Sequence, residues 1–240
     1  MSGRVRLVGI QVDNVNMDEA VSRCMVFLRV GGSHLVVTPN AEMLQACRTS
    51  RTLRAILAEA DLVVPDGAGV VLASRLAGTP LKQRVAGIEL ADAVLALLAE
   101  RGGSVFLVGA EPGVADAAAS ALATRHPGLR VAGVHHGYFA PEEDEAVAQA
   151  VAAQHPDLLL VGMGVPRQEC WLSRWLPVTG ATVGMAVGGA FDVWAGRTRR
   201  APRWMRRMGL EWAYRLAAEP RRLRRMLAIP RFLWAALWEH

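Results

Sequence analysis

The sequence predicts an α/β fold, a mostly parallel sheet with helices on both faces. Two patterns carry that expectation. Short runs such as Leu35-Val36-Val37 and Leu158-Leu159-Leu160-Val161 are apolar throughout, as strands buried on both faces are. Helical stretches separate them, and the runs end in Gly, Pro, Asn or Asp.

Strands are expected at 7–12, 34–37, 62–64, 104–108, 129–134, 157–161 and 182–187. Helices are expected at 17–29, 41–47, 52–60, 68–77, 89–101, 142–154 and around 167–175. Pro65 stops the third strand, and Gly102-Gly103 closes the helix at 89–101. Pro112 suits the first turn of a further helix opened by Gly109 to Gly113. The run Glu142-Glu143-Asp144-Glu145 begins its helix, where negative charge complements the macrodipole. No internal repeat or low-complexity segment interrupts this order.

With 52% hydrophobic and 20% charged residues over 240 positions, the chain is globular and long enough for a substantial core. Cys24, Cys47 and Cys170 are odd in number and widely spaced, which fits neither a zinc pattern nor a disulfide framework and favours a reducing compartment. No apolar signal segment follows the first ten residues, and the uncharged run at 175–191 is broken by glycine and proline. A cytoplasmic protein is expected. Charge is uneven: residues 197–240 hold 12 arginines against three glutamates, a net of +9, while the rest is net −4. The sequence therefore divides into an α/β domain at 1–196 and a basic appendage at 197–240.

Thr38, Asn40, Asp66, Gly109, Gly164, Gln168, Gly189 and Asp192 all fall just after expected strands. In a parallel sheet those turns share one edge, where such folds bind ligands, and glycines there let backbone N–H groups approach an anion. For any single loop, ordinary turn chemistry suffices, and Asp66 alone would read as a helix N-cap. Several loops converging on one edge point instead to a nucleotide or phosphorylated ligand. The two common nucleotide signatures are absent: no G-x-G-x-x-G follows the first strand, and the sole lysine, Lys82, belongs to no phosphate loop. A D-x-D pair for a metal-bridged diphosphate is absent too.

Five segments occur in a telling order: Thr38-Pro39-Asn40-Ala41-Glu42-Met43, Pro65-Asp66-Gly67-x-Gly69-Val70-Val71, Arg84-Val85-x-Gly87-x-Glu89-Leu90, Gly162-x-Gly164-x-Pro166-x-Gln168-Glu169 and Gly188-Gly189-Ala190-Phe191-Asp192. Together they resemble the WecG/TagA/CpsF glycosyltransferases over about residues 7 to 231. The resemblance implies a Rossmann-like fold and an inverting enzyme that needs neither metal nor cofactor. Such an enzyme moves a sugar from a UDP-sugar to a polyprenyl-diphosphate-linked saccharide at the inner face of the cell membrane. N-acetylmannosamine, its uronic acid and glucose-type donors all occur among such enzymes, and no residue here separates them.

By the same resemblance, Asp66 matches the general base that takes the acceptor hydroxyl's proton. An ordinary aspartate, with a reference pKa of ~3.9, is a weak base, so partial burial should help it. Thr38 and Asn40 match positions on the sugar and acceptor side, although Asn40 equally suits a cap for the helix at 41–47. Gln168 matches a site residue, and Arg84 could offset charge on departing UDP. Tyr138 resembles the position that stacks on uracil, and Asp192 one that hydrogen-bonds the base. A core tyrosine and a turn aspartate are the alternatives. Gly109, Gly164 and Gly189 complete the expected nucleotide side.

In the appendage, Ala201, Trp204, Met205, Met208, Trp212 and Leu216 share one helical face. A second basic helix is expected at about 221–227, followed by an apolar segment at 232–238. Arg215, Arg222 and Arg225 match appendage positions that engage diphosphate, and the Arg- and Trp-rich composition suits an anionic membrane surface. The alternative is a packing helix with a solvated basic face. A nucleic-acid-binding protein is a competing reading of the +9 tail, but no recognised motif is present and the acidic body would repel a phosphate backbone. A nucleotide-binding oxidoreductase is a third reading. The sequence leaves homo-oligomerisation open.

Overall fold

The computed structural model describes residues 3–218 and 228–238. The chain begins with a two-stranded antiparallel hairpin, β1 (Arg4–Leu7) and β2 (Ile10–Asp13), outside the main sheet. There follow α1 (Met17–Val30), β3 (His34–Val37), α2 (Ala41–Cys47), α3 (Arg51–Glu59), β4 (Leu62–Val63), α4 (Ala68–Leu76) and α5 (Gly87–Ala99). Next come β5 (Ser104–Gly109), α6 (Val114–Arg125), β6 (Arg130–His135), α7 (Asp144–Ala152), β7 (Leu158–Gly162), α8 (Arg167–Thr179), β8 (Val183–Ala186) and α9 (Ala190–Trp194). The described tail holds α10 (Arg203–Arg207), α11 (Glu211–Ala218) and α12 (Ala228–Trp238).

The main sheet has six strands in the order β4-β3-β8-β7-β5-β6, all parallel as the sequence predicts. Alternate side chains enter two separate cores. Val36, Leu107, Leu160 and Met185 face α1, α5, α6 and α9, whereas Val37, Val108, Leu159 and Val161 face α2, α3, α7 and α8.

The expected strand at 7–12 is corrected to the hairpin, folded at Val8 (φ 44) and Gly9 (φ 80). A β-branched residue is disfavoured at positive φ, so the turn has no local signature. Tertiary contacts hold it. Val8 is buried, and Asp13 anchors the hairpin to the sheet by accepting from Val63 N (2.9 Å) while pairing with Arg23 (2.7 Å).

The expected apolar face at 201–216 is broken by Gly209 (φ 73) into α10 and α11, and Trp204, Met208 and Trp212 are exposed. The 232–238 segment forms most of α12, which packs on α2 and α4 and buries Phe232, Ala235 and Ala236 in the body's core. The basic helix expected at 221–227 lies outside the described residues. No described helix is long and apolar enough to cross a membrane.

Candidate active site

Parallel strands bring the segments 38–40, 64–67, 109–113, 136–140, 163–166 and 187–189 to one rim. On the β3–β4 side, Asp66 N donates to Pro39 O (3.1 Å), which locks two of these turns together. The half-buried Asp66 does not cap the helix that follows it. That helix, α4, has Gly67 at its N-cap and no side-chain cap. The Asp66 carboxylate instead accepts from Gly87 N (3.2 Å), at the start of the 13-residue α5. A negative charge is favoured there by the unsatisfied N–H groups and the helix dipole.

Gly87 also explains its own identity. A Cβ on it would lie 2.8 Å from Thr38 Oγ1, so the backbone must pass close between Asp66 and Thr38. Thr38 Oγ1 donates to Ala186 O (3.2 Å), linking the end of β3 to that of β8. Asn40 is exposed and caps α2, its Oδ1 accepting from Met43 N (2.9 Å), which is the structural role the sequence allowed. Asp66, Thr38 and Asn40 thus come together around Gly87 and Gly67, where a Cβ would lie 3.9 Å from Asn40 Cβ.

Gln168 is almost fully buried. Its Oε1 accepts from Gly164 N (3.2 Å) and Gly188 N (3.1 Å), and its Nε2 donates to Glu169 Oε1 (2.7 Å). It therefore braces the loops after β7 and β8. Gly109 sits where a Cβ would run into the Gly162 carbonyl, so glycine is required for these strand ends to approach. Gly164 (φ 79) borders open space, and Gly189 is the N-cap of α9, which carries the half-buried Asp192. Tyr138 is 66% exposed, which removes the core-tyrosine alternative.

Arg84 lies in an ionic cluster with the appendage. It meets Glu211 (3.4 Å) and Glu89 (3.9 Å); Arg200 meets both glutamates (3.4 and 3.1 Å), and Arg206 meets Glu89 (2.6 Å). The cluster pins α10 and α11 to the N-terminal end of α5, the helix that receives Asp66. It borders a groove of about 590 Å³ lined by Ile88, Glu89, Asp92, Trp194, Thr198 and Arg200 among others, a lining that does not include Asp66. Arg215 falls on α11 with its side chain outside the description, and Arg222 and Arg225 lie outside the described residues. Among the described residues, no group of three His, Cys, Asp or Glu side chains could hold a metal.

Two residues of this site escaped the sequence reading. Arg167 donates to Gly137 O (2.9 Å) and Phe139 O (2.6 Å), and its guanidinium sits over the Phe139 ring at 4.7 Å, clamping the loop that presents Tyr138. Its signal was a cation in a helix's first turn, where the dipole disfavours it unless another partner claims it. Glu169 is fully buried, and burial pushes its carboxyl up to about 7. It shares the stripe of Leu172 and Leu176 at helical spacing, which marks it as facing the core.

A family profile described as the glycosyl transferase WecG/TagA/CpsF family matches residues 5–240. Among curated proteins, the chain is similar to the N-acetylglucosaminyldiphosphoundecaprenol N-acetyl-beta-D-mannosaminyltransferases of Staphylococcus aureus strains NCTC 8325 / PS 47 and COL. Identity is 35% over 235 residues in each case, covering 97% of this chain and 92% of the relative. The counterpart from strain MRSA252 matches to the same extent.

Proposed function

The chain belongs to the WecG/TagA/CpsF family and is a glycosyltransferase; we propose that it transfers a sugar, of the N-acetylmannosamine or glucose type, from a UDP-sugar to a polyprenyl-diphosphate-linked saccharide, with inversion and without a metal. The observation that carries this reading is Asp66. Its half-buried carboxylate is fixed at the start of α5, beside Thr38 and Asn40, on the rim where all the parallel strands end.

The acceptor hydroxyl attacks C1 of the donor sugar from the face opposite UDP, and Asp66 takes its proton. Thr38 and the Asn40 amide orient hydroxyls around the reacting carbon. Without a cation, charge developing on the diphosphate needs preorganised donors. The Gly189 turn can offer backbone N–H groups, and Gly164, whose own N–H is held by Gln168, lets the backbone of its turn come close to the diphosphate. Among the described residues, the cluster at Arg84 sets three arginines against two glutamates beside α5. Tyr138 offers an exposed ring for the uracil, and Asp192 an acceptor for its edge.

The acceptor's polyprenyl chain keeps it in a membrane, so the enzyme must work at one. Exposed Trp204, Met208, Trp212, Trp234, Leu237 and Trp238 lie in the same stretch as the arginine-rich tail. Aromatic side chains with adjacent arginines suit the interface of an anionic cytoplasmic leaflet. Arg215, Arg222 and Arg225 are assigned to the acceptor diphosphate there.

The test is product mass spectrometry with a panel of UDP-sugars and a short-chain polyprenyl-diphosphate N-acetylglucosamine, with and without chelator. Transfer of one hexose-type unit that persists in chelator is expected. No product with any UDP-sugar, or turnover that stops in chelator and returns with a divalent cation, contradicts the proposal.

A further inference from the structure

We infer that Glu169 is a positioning residue of the transfer site: its carboxylate holds the Gln168 carboxamide in the one orientation that ties the loops after β7 and β8 together. The functional consequence rests on the transfer reaction proposed above; the structural consequence does not.

Three bonds form the relay. Glu169 Oε1 accepts from Gln168 Nε2 at 2.7 Å, and Gln168 Oε1 accepts from Gly164 N and Gly188 N at 3.2 and 3.1 Å. The two converging amide donors fix which end of the carboxamide is oxygen. Both glycines lie at positive φ, in loops that border the nucleotide side of the rim.

An ionised Glu169 forbids the flipped carboxamide. Flipping would aim the amide oxygen at a carboxylate and the NH₂ at two N–H groups. A protonated Glu169 removes the first of these clashes and is a weaker acceptor for Gln168 Nε2, so the carboxamide is held less firmly and its bonds to both glycines loosen. Ionisation also polarises the carboxamide and strengthens its grip on the two amides. Glu169 Oε2 has no partner among the described residues, so the carboxylate is stabilised chiefly through Gln168. Burial pushes its carboxyl up to about 7, which puts the switch near neutrality.

The two thiols facing Glu169 are kept neutral by burial. Burial pushes the Cys47 thiol of α2 up to about 12 and raises that of Cys170 on the same helix. Arg54 of α3, beyond Cys47, donates to the Cys47 and Arg48 carbonyls, and Arg167 is turned to the Gly137 and Phe139 carbonyls.

The experiment follows the Gly164 and Gly188 backbone amides by NMR between roughly pH 5.5 and 8.5 in wild type and Glu169→Gln, with transfer kinetics over the same range. In wild type, both amides should titrate with one shared midpoint near 7, and kcat/KM for the UDP-sugar should rise through it. In Glu169→Gln neither amide should titrate, and kcat/KM at high pH should fall about tenfold, the worth of one positioning hydrogen bond. Glu169→Asp should restore a titration. Amides that do not titrate in wild type, or that titrate identically in Glu169→Gln, overturn the inference. The wild-type titration stands alone if the variant fails to fold. Titrating amides without transfer to any acceptor would support the relay and contradict the proposed reaction.

Discussion

Asp66 and Glu169 are carboxylates in opposite settings. Asp66 is reached by solvent and meets a helix N-terminus, whereas Glu169 is sealed among apolar side chains with one oxygen unpartnered among the described residues. The sign of the pH effect on stability follows. The folded Glu169 has its pKa raised from 4.5 to about 7, so the folded state binds the proton more tightly than the unfolded one. That contribution is fully present below about pH 4.5 and is lost as pH rises through 7, a cost of about 3 kcal/mol at alkaline pH. Glu169→Gln should therefore have a higher thermal midpoint than wild type at pH 8, with the gap much smaller at about pH 5 and closing below about pH 4.5. Calorimetry at the two pH values checks this. An ionisable group kept where a neutral one costs less fits a role in the site.

At the scale of elements, α12 matters most to interpretation. Phe232 is fully buried in the core that also holds Leu7, Met43 and Val70, so Phe232→Ala should cost about 3–5 kcal/mol in chemical denaturation. Removing residues 197–240 therefore strips part of the body's core as well as the basic surface. The strands of the main sheet were legible because both-face burial writes itself as continuous apolar runs, and the loops were legible because each run ends in turn residues. The hairpin was not, since Val8 contradicts the chemistry of its own turn and only Asp13 and the adjacent sheet justify it. Gln168 was legible as a polar residue at the strand-end rim but not as a brace, because the brace depends on the loop after β8, twenty residues downstream. The ionic cluster of Arg84 was hidden for the same reason: Glu211 and Arg206 lie more than a hundred residues downstream.

For the whole molecule, the acidic body and basic tail define an orientation. Under the proposed function, the exposed tryptophans of the tail meet an anionic bilayer, and Gly209 passes close enough to Ala68 that a Cβ on it would lie 2.9 Å from the Ala68 Cβ, which keeps the start of α11 near the turn that carries Asp66. Trp234→Ala with Trp238→Ala should weaken binding to vesicles containing anionic lipid, measured by flotation. The pair is solvent-exposed, so stability should be unchanged. Unaltered flotation would contradict a membrane contact through these tryptophans.

The central claim is that Asp66 removes the acceptor's proton, and Asp66→Asn isolates it. The amide keeps the size and one acceptor oxygen for Gly87 N but cannot act as a base. Single-turnover transfer from a UDP-sugar, measured beside calorimetric UDP affinity, should fall about 10²- to 10⁴-fold while UDP binding stays within a few-fold of wild type. Transfer at the wild-type rate with UDP bound as tightly would contradict the account.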